Sequence, residues 1–432
     1  MDYKAVRNLA TLFFDQSAAL SDRPFLWAKQ NGTYQPMTYG EAGDAVRRFA
    51  KALRASGIEK GDRVLIVSEN RPEWVIADLA IMATGAIAVP TYTTYTTDDY
   101  RHVLEDSGAK AAVVSTGRLV EKVLPAAEGA AGCTMLITVE TLGQTPRSTL
   151  TITDWDTFLR RGETSEEDPA DWAATLQRDE VCSLIYTSGT GGRPKGVMLT
   201  HGSLLANCEG AHDLLRGLGL DHEVFLSLLP LSHSYEHICG LHFPISIGAE
   251  IYYAEGPEKV SLNLTEARPT IMTAVPRLYE VLHDRICRGV DAKGGLSAKL
   301  FHRTVALGGK AYSNPKSLFA RTRRKCPARC SGAQEGRRTF RRQAESFRLR
   351  GSSTQSGYRN LLPVSRNSYS ARLWPDRSFA RRGMQSMLPE QDPFGRPASE
   401  GCRGPDRRGR RDPGERRVAD ERLLGRSGND GP

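Results

Sequence analysis

Cysteine is scarce in this chain, with eight in 432 residues, and so are long apolar runs. Cys133, Cys182, Cys208, Cys239 and Cys287 stand singly among apolar or helix-forming residues. That spacing excludes a disulfide framework and fits buried free thiols. Cys326 and Cys330 lie four apart without a second ligand pair, so no zinc site is expected there. The longest apolar stretch, residues 75–89, is interrupted by Asp78 and falls short of the roughly 20 residues a bilayer span needs. The opening Met-Asp-Tyr-Lys-Ala-Val-Arg lacks the apolar core of a signal peptide. The expected location is the cytoplasm, with peripheral association at the inner membrane face left open.

Lysine is missing from one part of the chain. After Lys316 only Lys325 occurs, while arginine is everywhere, as in Arg321, Arg323, Arg324, Arg337, Arg338, Arg341, Arg342 and the cluster from Arg407 to Arg411. Ser317–Pro432 holds 27 basic against 12 acidic residues, a net of +15, so residues 1–316 carry −6 of the total +9. A basic surface shaped by selection mixes lysine with arginine, and this bias reads as nucleotide composition. Aromatic interleaving and any recognisable nucleic-acid module are also lacking, so a specific nucleic-acid partner is not expected. A non-enzymatic, basic-tailed nucleic-acid-binding protein is the contrasting reading.

Residues 1–316 do carry periodic structure. Thr38 with Glu41 three residues on is a capping-box pattern. Ala42, Val46, Phe49, Ala50 and Leu53 then share one helical face, and Gly57 ends it. The turn at 59–62 leads to a strand over 64–67, followed by a helix over 74–84, a strand over 86–89, a helix over 97–107 and a strand over 111–114. This alternation predicts an α/β fold with doubly wound parallel sheets.

The chemistry concentrates in residues 184–201. A short apolar run, 181–186, reads as a buried strand and opens into Thr187, Ser188, Gly189, Thr190, Gly191, Gly192, Arg193, Pro194 and Lys195. Glycines let successive backbone N–H groups point at one anion, hydroxyls add donors, and Lys195 adds a full charge. A triphosphate needs that combination. The spacing differs from a Walker A loop. His233 and His237 are four apart, but Glu236 is misplaced for a zinc hydrolase, which needs its glutamate directly after the first histidine.

This segment resembles the phosphate loop of the adenylate-forming (AMP-binding) superfamily, with Gly191 where the family has threonine. Residues 37–41 (Met-Thr-Tyr-Gly-Glu), 61–64 (Gly-Asp-Arg-Val), 85–90 (Gly-Ala-Ile-Ala-Val-Pro) and 229–233 (Leu-Pro-Leu-Ser-His) resemble further family blocks. Residues 269–280 (Pro-Thr-Ile-Met-Thr-Ala-Val-Pro-Arg-Leu-Tyr-Glu) are similar to the long-chain fatty acyl-CoA synthetase branch. The resemblance implies a truncated large adenylation domain over 1–316. It also implies ligation of a fatty acid to CoA with ATP and Mg²⁺, through an acyl-adenylate, giving AMP and diphosphate. Thr187 to Gly192 and Lys195 would hold phosphates, with Thr187 beside the metal. His233, Ser234 and His237 would line the acyl and adenylate pocket, His233 in the catalytic position. No aspartate stands in that block to pair an amino acid's ammonium group, so an uncharged tail fits better. An adenylating ligase for another acid or acceptor thiol is the nearer alternative. Oligomeric state is not legible.

The family's Gly-Tyr-Gly-x-Thr-Glu block, its ribose-binding block and its small C-terminal domain are not found in this frame. Shifting the reading by one base, with free choice of synonymous codons, lets Thr339–Phe347 read Arg-Phe-Gly-Gly-Arg-Leu-Lys-Ala-Phe. In the same frame Ala371–Arg377 can read Gln-Gly-Tyr-Gly-Gln-Thr-Glu, and residues 412–424 a third family pattern. Residues 317–432 are therefore expected to be an out-of-frame, disordered tail, and the chain as written to be inactive.

Overall fold

The expected helices form where their caps are. In this computed structural model, which describes residues 1–187, 193–217, 219–313 and 348–350, Thr38 Oγ1 accepts the Glu41 N–H at 3.1 Å. Glu41 Oε2 in turn accepts the Thr38 N–H at 2.7 Å, and helix Tyr39–Ala55 follows. Its apolar face (Ala42, Val46, Phe49, Ala50, Leu53) is buried, and Gly57 takes a φ of +83° just beyond its end. Thr96 and Asp99 repeat the device for helix Thr97–Ser107, which closes on a left-handed Gly108.

Thirteen strands are described: β1 (Pro24–Gln30), β2 (Thr33–Thr38), β3 (Arg63–Val67), β4 (Ile87–Thr91), β5 (Ala111–Val114), β6 (Met135–Thr138), β7 (Thr151–Asp154), β8 (Val181–Thr187), β9 (Lys195–Thr200), β10 (Val224–Ser227), β11 (Glu250–Tyr253), β12 (Ile271–Thr273) and β13 (Arg348–Arg350). They form two sheets, ordered β7-β6-β5-β3-β4-β8-β9 and β13-β12-β10-β11-β1-β2. The parallel, doubly wound character is as expected, with one addition. Each sheet ends in an antiparallel edge strand, β9 on β8 and β2 on β1. The second hairpin turns on Asn31 and Gly32, both at positive φ, a two-residue turn whose Asn-Gly signal is plain in the sequence.

Helix Pro72–Ala83 is the centre of the packing. Every residue from Trp74 to Ala83 is buried, because the helix shares one apolar cluster with Val64 and Ile66 of β3 and Phe225, Ile251 and Ile271 of the other sheet. A helix apolar on all sides is a core helix. Asp78 sits in its middle, fully buried. Helices Pro276–Lys293 and Gly295–Ser313 are the opposite case. Ile286, Leu296, Leu300 and Leu307 are exposed there, Leu296 by 77%. Among the described residues no helix is long and apolar enough to cross a membrane. Cys133, Cys182 and Cys208 are buried free thiols as expected, whereas Cys239 and Cys287 are only partly covered.

The N-terminal helix Leu9–Ala19 is tied to this core by His201, whose Nδ1 accepts the Leu9 N–H at 3.3 Å. Burial holds the His201 pKa down to about 4, with Glu180 opposing weakly. In the unfolded chain the ring takes its proton near its ordinary value of 6.5. Stability should therefore be full above pH 6.5 and fall by about 3 kcal/mol as pH drops from 6.5 to 4, at about 1.4 kcal/mol per pKa unit. His201→Asn keeps an acceptor for Leu9 but does not titrate. Urea unfolding across this range should show a flatter acid limb for that variant.

Candidate functional site

The phosphate-loop candidates begin at a strand end. Thr187 closes β8 and Lys195 opens β9, and the two face each other in the ladder with both side chains exposed. Ser188, Gly189, Thr190, Gly191 and Gly192 lie outside the described residues. The stems around them are fixed to helix Thr97–Ser107. The Tyr186 hydroxyl donates to Asp106 Oδ2 at 2.6 Å, and His102 Nε2 lies 2.9 Å from the Pro194 carbonyl oxygen. His102 and Asp106 are one helical turn apart and so share a face.

The block holding His233 leaves β10 at its C-terminal end and is held by a residue from the other sheet. Asn70, just past β3, donates through Nδ2 to Ser227 Oγ at 3.0 Å and to the Leu229 carbonyl at 2.7 Å. Its Oδ1 accepts the Leu231 N–H at 3.0 Å. His233 is exposed. Its Nδ1 accepts the Tyr235 N–H at 3.2 Å, capping the helical segment that starts at Ser234, which leaves Nε2 for a ligand. Ser234 is half-buried beside it.

Glu236 lies beneath, fully buried. It accepts the Ser227 hydroxyl at 2.7 Å and the Thr273 hydroxyl. Burial, against those two hydrogen bonds, pushes its carboxyl up to about 7. Ser227, Thr273 and Thr187 all stand at C-terminal ends of strands, where open α/β sheets bind their ligands.

His237 is not in an open pocket with His233. It is fully buried, with Nε2 3.0 Å from Asp78 Oδ2 and 3.2 Å from His242 Nε2. The segment packs on helix Pro72–Ala83, so the residue four places after an exposed His233 is turned inward. No sequence pattern points to Asn70, and none gives Asp78 or Glu236 a place at the site. Asp78 alone left a signal, as the one charge inside an apolar run.

The family described as AMP-binding enzyme matches residues 13–332, which reaches past Lys316. Among curated relatives, the peroxisomal long chain acyl-CoA synthetase 6 of Arabidopsis thaliana is 31% identical over 294 residues, 66% of this chain and 40% of the relative. The long-chain-fatty-acid–CoA ligase FadD15 of Mycobacterium tuberculosis is 31% identical over 290 residues, 64% and 45% respectively. The chain thus spans less than half the length of these relatives. Among solved structures, a benzoate CoA ligase from Burkholderia xenovorans LB400 aligns at 30% identity with a TM-score of 0.51, covering 63% of this chain and 51% of that one. The A-PCP didomain of a carboxylic acid reductase from Segniliparus rugosus, in complex with AMP, aligns at 19% identity with a TM-score of 0.58, covering 72% and 47%. That last likeness speaks for the fold.

Asn70→Ala should remove the three bonds that hold 227–231 and cost about 1.5–4.5 kcal/mol, at roughly 0.5–1.5 kcal/mol for each bond. Hydrogen exchange should show faster exchange at the Leu231 amide and its neighbours, with helix Tyr39–Ala55 unchanged. Unaltered protection at Leu231 would remove Asn70 from this role.

Proposed function

The chain belongs to the AMP-binding enzyme family, and from that premise we propose that it descends from an acyl-CoA ligase that activates a fatty acid through an acyl-adenylate. The observation that carries this reading is the pairing of Thr187 and Lys195 across a strand end. It places a cation and a hydroxyl at the two mouths of a Gly/Ser/Thr loop, where a triphosphate would rest. A carboxylate oxygen attacks the α-phosphorus, the bond to the bridging oxygen breaks, and diphosphate leaves. The CoA thiol then loses its proton and displaces AMP from the acyl carbon.

Little of this needs a protein nucleophile; position and charge neutralisation do the work. Lys195 offsets phosphate charge, and the free Nε2 of His233 is suited to donate to the reacting carboxylate. Mg²⁺ takes oxygen ligands, and the Thr187 hydroxyl is the group that would help to hold it. When bound, the ion would neutralise charge on the leaving diphosphate.

A fatty acid is favoured as substrate by the uncharged surroundings of His233, namely Leu231, Ser232, Ser234, Tyr235 and Ile238, and by the long-chain relatives. An aromatic acid is the second reading, favoured by the likeness to a benzoate CoA ligase. We also propose that the reading frame shifts between about Lys316 and Thr339, and that the 432-residue polypeptide has no turnover. The exposed apolar faces of helices Pro276–Lys293 and Gly295–Ser313 support this, since such faces are shaped for partners.

In protein with the frame restored, Lys195→Ala and Thr190→Ala should slow ATP–diphosphate exchange by about 2–4 kcal/mol of transition-state stabilisation while thermal unfolding stays unchanged. Wild-type exchange in both would refute the loop assignment. Across an acid panel, affinity should rise by up to about 0.8 kcal/mol per buried CH₂. A preference for benzoate would favour the second reading.

A further inference from the structure

Between the segment after His233 and helix Pro72–Ala83 lie three groups that the adenylation chemistry does not use. Asp78, His237 and His242 are each fully buried, and one ligand atom from each lies within 4.8 Å of the others. Asp78 Oδ2 is 3.0 Å from His237 Nε2 and 3.8 Å from His242 Nε2. The two Nε2 atoms are 3.2 Å apart. Ligands about 2.0–2.1 Å from one tetrahedral ion stand about 3.4 Å from each other. The three separations bracket that value.

Protons satisfy this triangle poorly. A neutral imidazole nitrogen either donates or accepts. One hydrogen on His237 Nε2 would have to serve both Asp78 and His242, leaving a buried carboxylate charge without a counter-charge.

The backbone is built to bring the histidines together. His237–His242 is a π-helical segment, with the Phe243 N–H bonded to the Ile238 carbonyl five residues back. That winding sets residues five apart on one face, whereas an α-helix would splay them. Short π segments are rare and concentrate at functional sites. Asp78 is the one acid in the buried, otherwise apolar stretch from Trp74 to Ala83. Its Oδ1 is buried without a partner and can complete four-coordination as the second oxygen of the carboxylate.

We propose that Asp78, His237 and His242 form a structural site for a borderline divalent transition metal, Zn²⁺ being the natural occupant. Two imidazoles and a carboxylate suit that class, and Mg²⁺ or Ca²⁺ would demand more oxygen ligands. The ion pins the segment carrying His233 to the central helix. Full burial means it is taken up during folding.

The test uses the 432-residue chain without a histidine tag, refolded with Zn²⁺, with Co²⁺, with Mg²⁺ or with chelator alone. One equivalent of zinc should survive dialysis, the thermal midpoint should rise with Zn²⁺ and not with Mg²⁺, and the Co²⁺ form should show the intense visible band of a tetrahedral site. Asp78→Asn, which preserves shape and hydrogen bonding, should lose the band and most of the bound metal. His242→Gln should do the same. If a variant fails to fold, the wild-type Co²⁺ spectrum and its displacement by Zn²⁺ still decide. Wild type that retains no metal above the Asp78→Asn level, or shows only the octahedral aqua spectrum, would overturn the site.

Discussion

Helix Pro72–Ala83 must be buried on every side and still accommodate one carboxylate, and much of the structure follows from that. Its apolar residues draw side chains from both sheets into a single cluster, so the sheets share one core. Full burial of Trp74 alone makes truncation there worth about 3–5 kcal/mol. An ionised Asp78 in such surroundings demands hydrogen bonds and a counter-charge. His237 answers part of the first demand, with Nε2 3.0 Å from Asp78 Oδ2, and His242 Nε2 stands 3.8 Å from the same oxygen. To reach Asp78 they must come from one face of the segment after His233, and the π winding provides that face.

The same requirement positions the ligand-facing side. Because His237 is turned inward, His233 is left outward at the start of the segment, with Nδ1 engaged in the cap and Nε2 available. Asn70, which precedes the central helix, takes hold of the strand leading to His233 through three hydrogen bonds. Glu236 fastens the underside to Ser227 and Thr273. The exposed histidine is therefore carried by a polar network anchored in both sheets, the kind of support that fixes a reactive group in place. The phosphate-loop stems are fixed independently, by His102 and Asp106 on a surface helix.

Local signals were legible because local physics produces them. Thr38 with Glu41 satisfies otherwise unpaired N–H groups within four residues, so the helix start is visible in the sequence, and the apolar period of Ala42 to Leu53 marks its buried face. The parallel strands β3, β4, β5 and β8 read as short apolar runs because both of their faces are covered. The hairpin of β1 and β2 is equally local. Its Asn31-Gly32 signal was present, but the strands around it alternate weakly, with Pro36 and exposed polar residues in β2.

The sequence by itself determined the fold class and the family, since both rest on motifs and apolar periods formed by residues close together in the chain. Only the tertiary structure decided where His237 lies. Its distance in space from Asp78 is 3.0 Å, but 159 residues separate them along the chain, and no periodicity encodes such a meeting. An HxxxH spacing considered alone suggests two ligands on one α-helical face. Packing against a buried helix instead exposes the first, buries the second, and uses a π turn to pair the second with His242, five residues on.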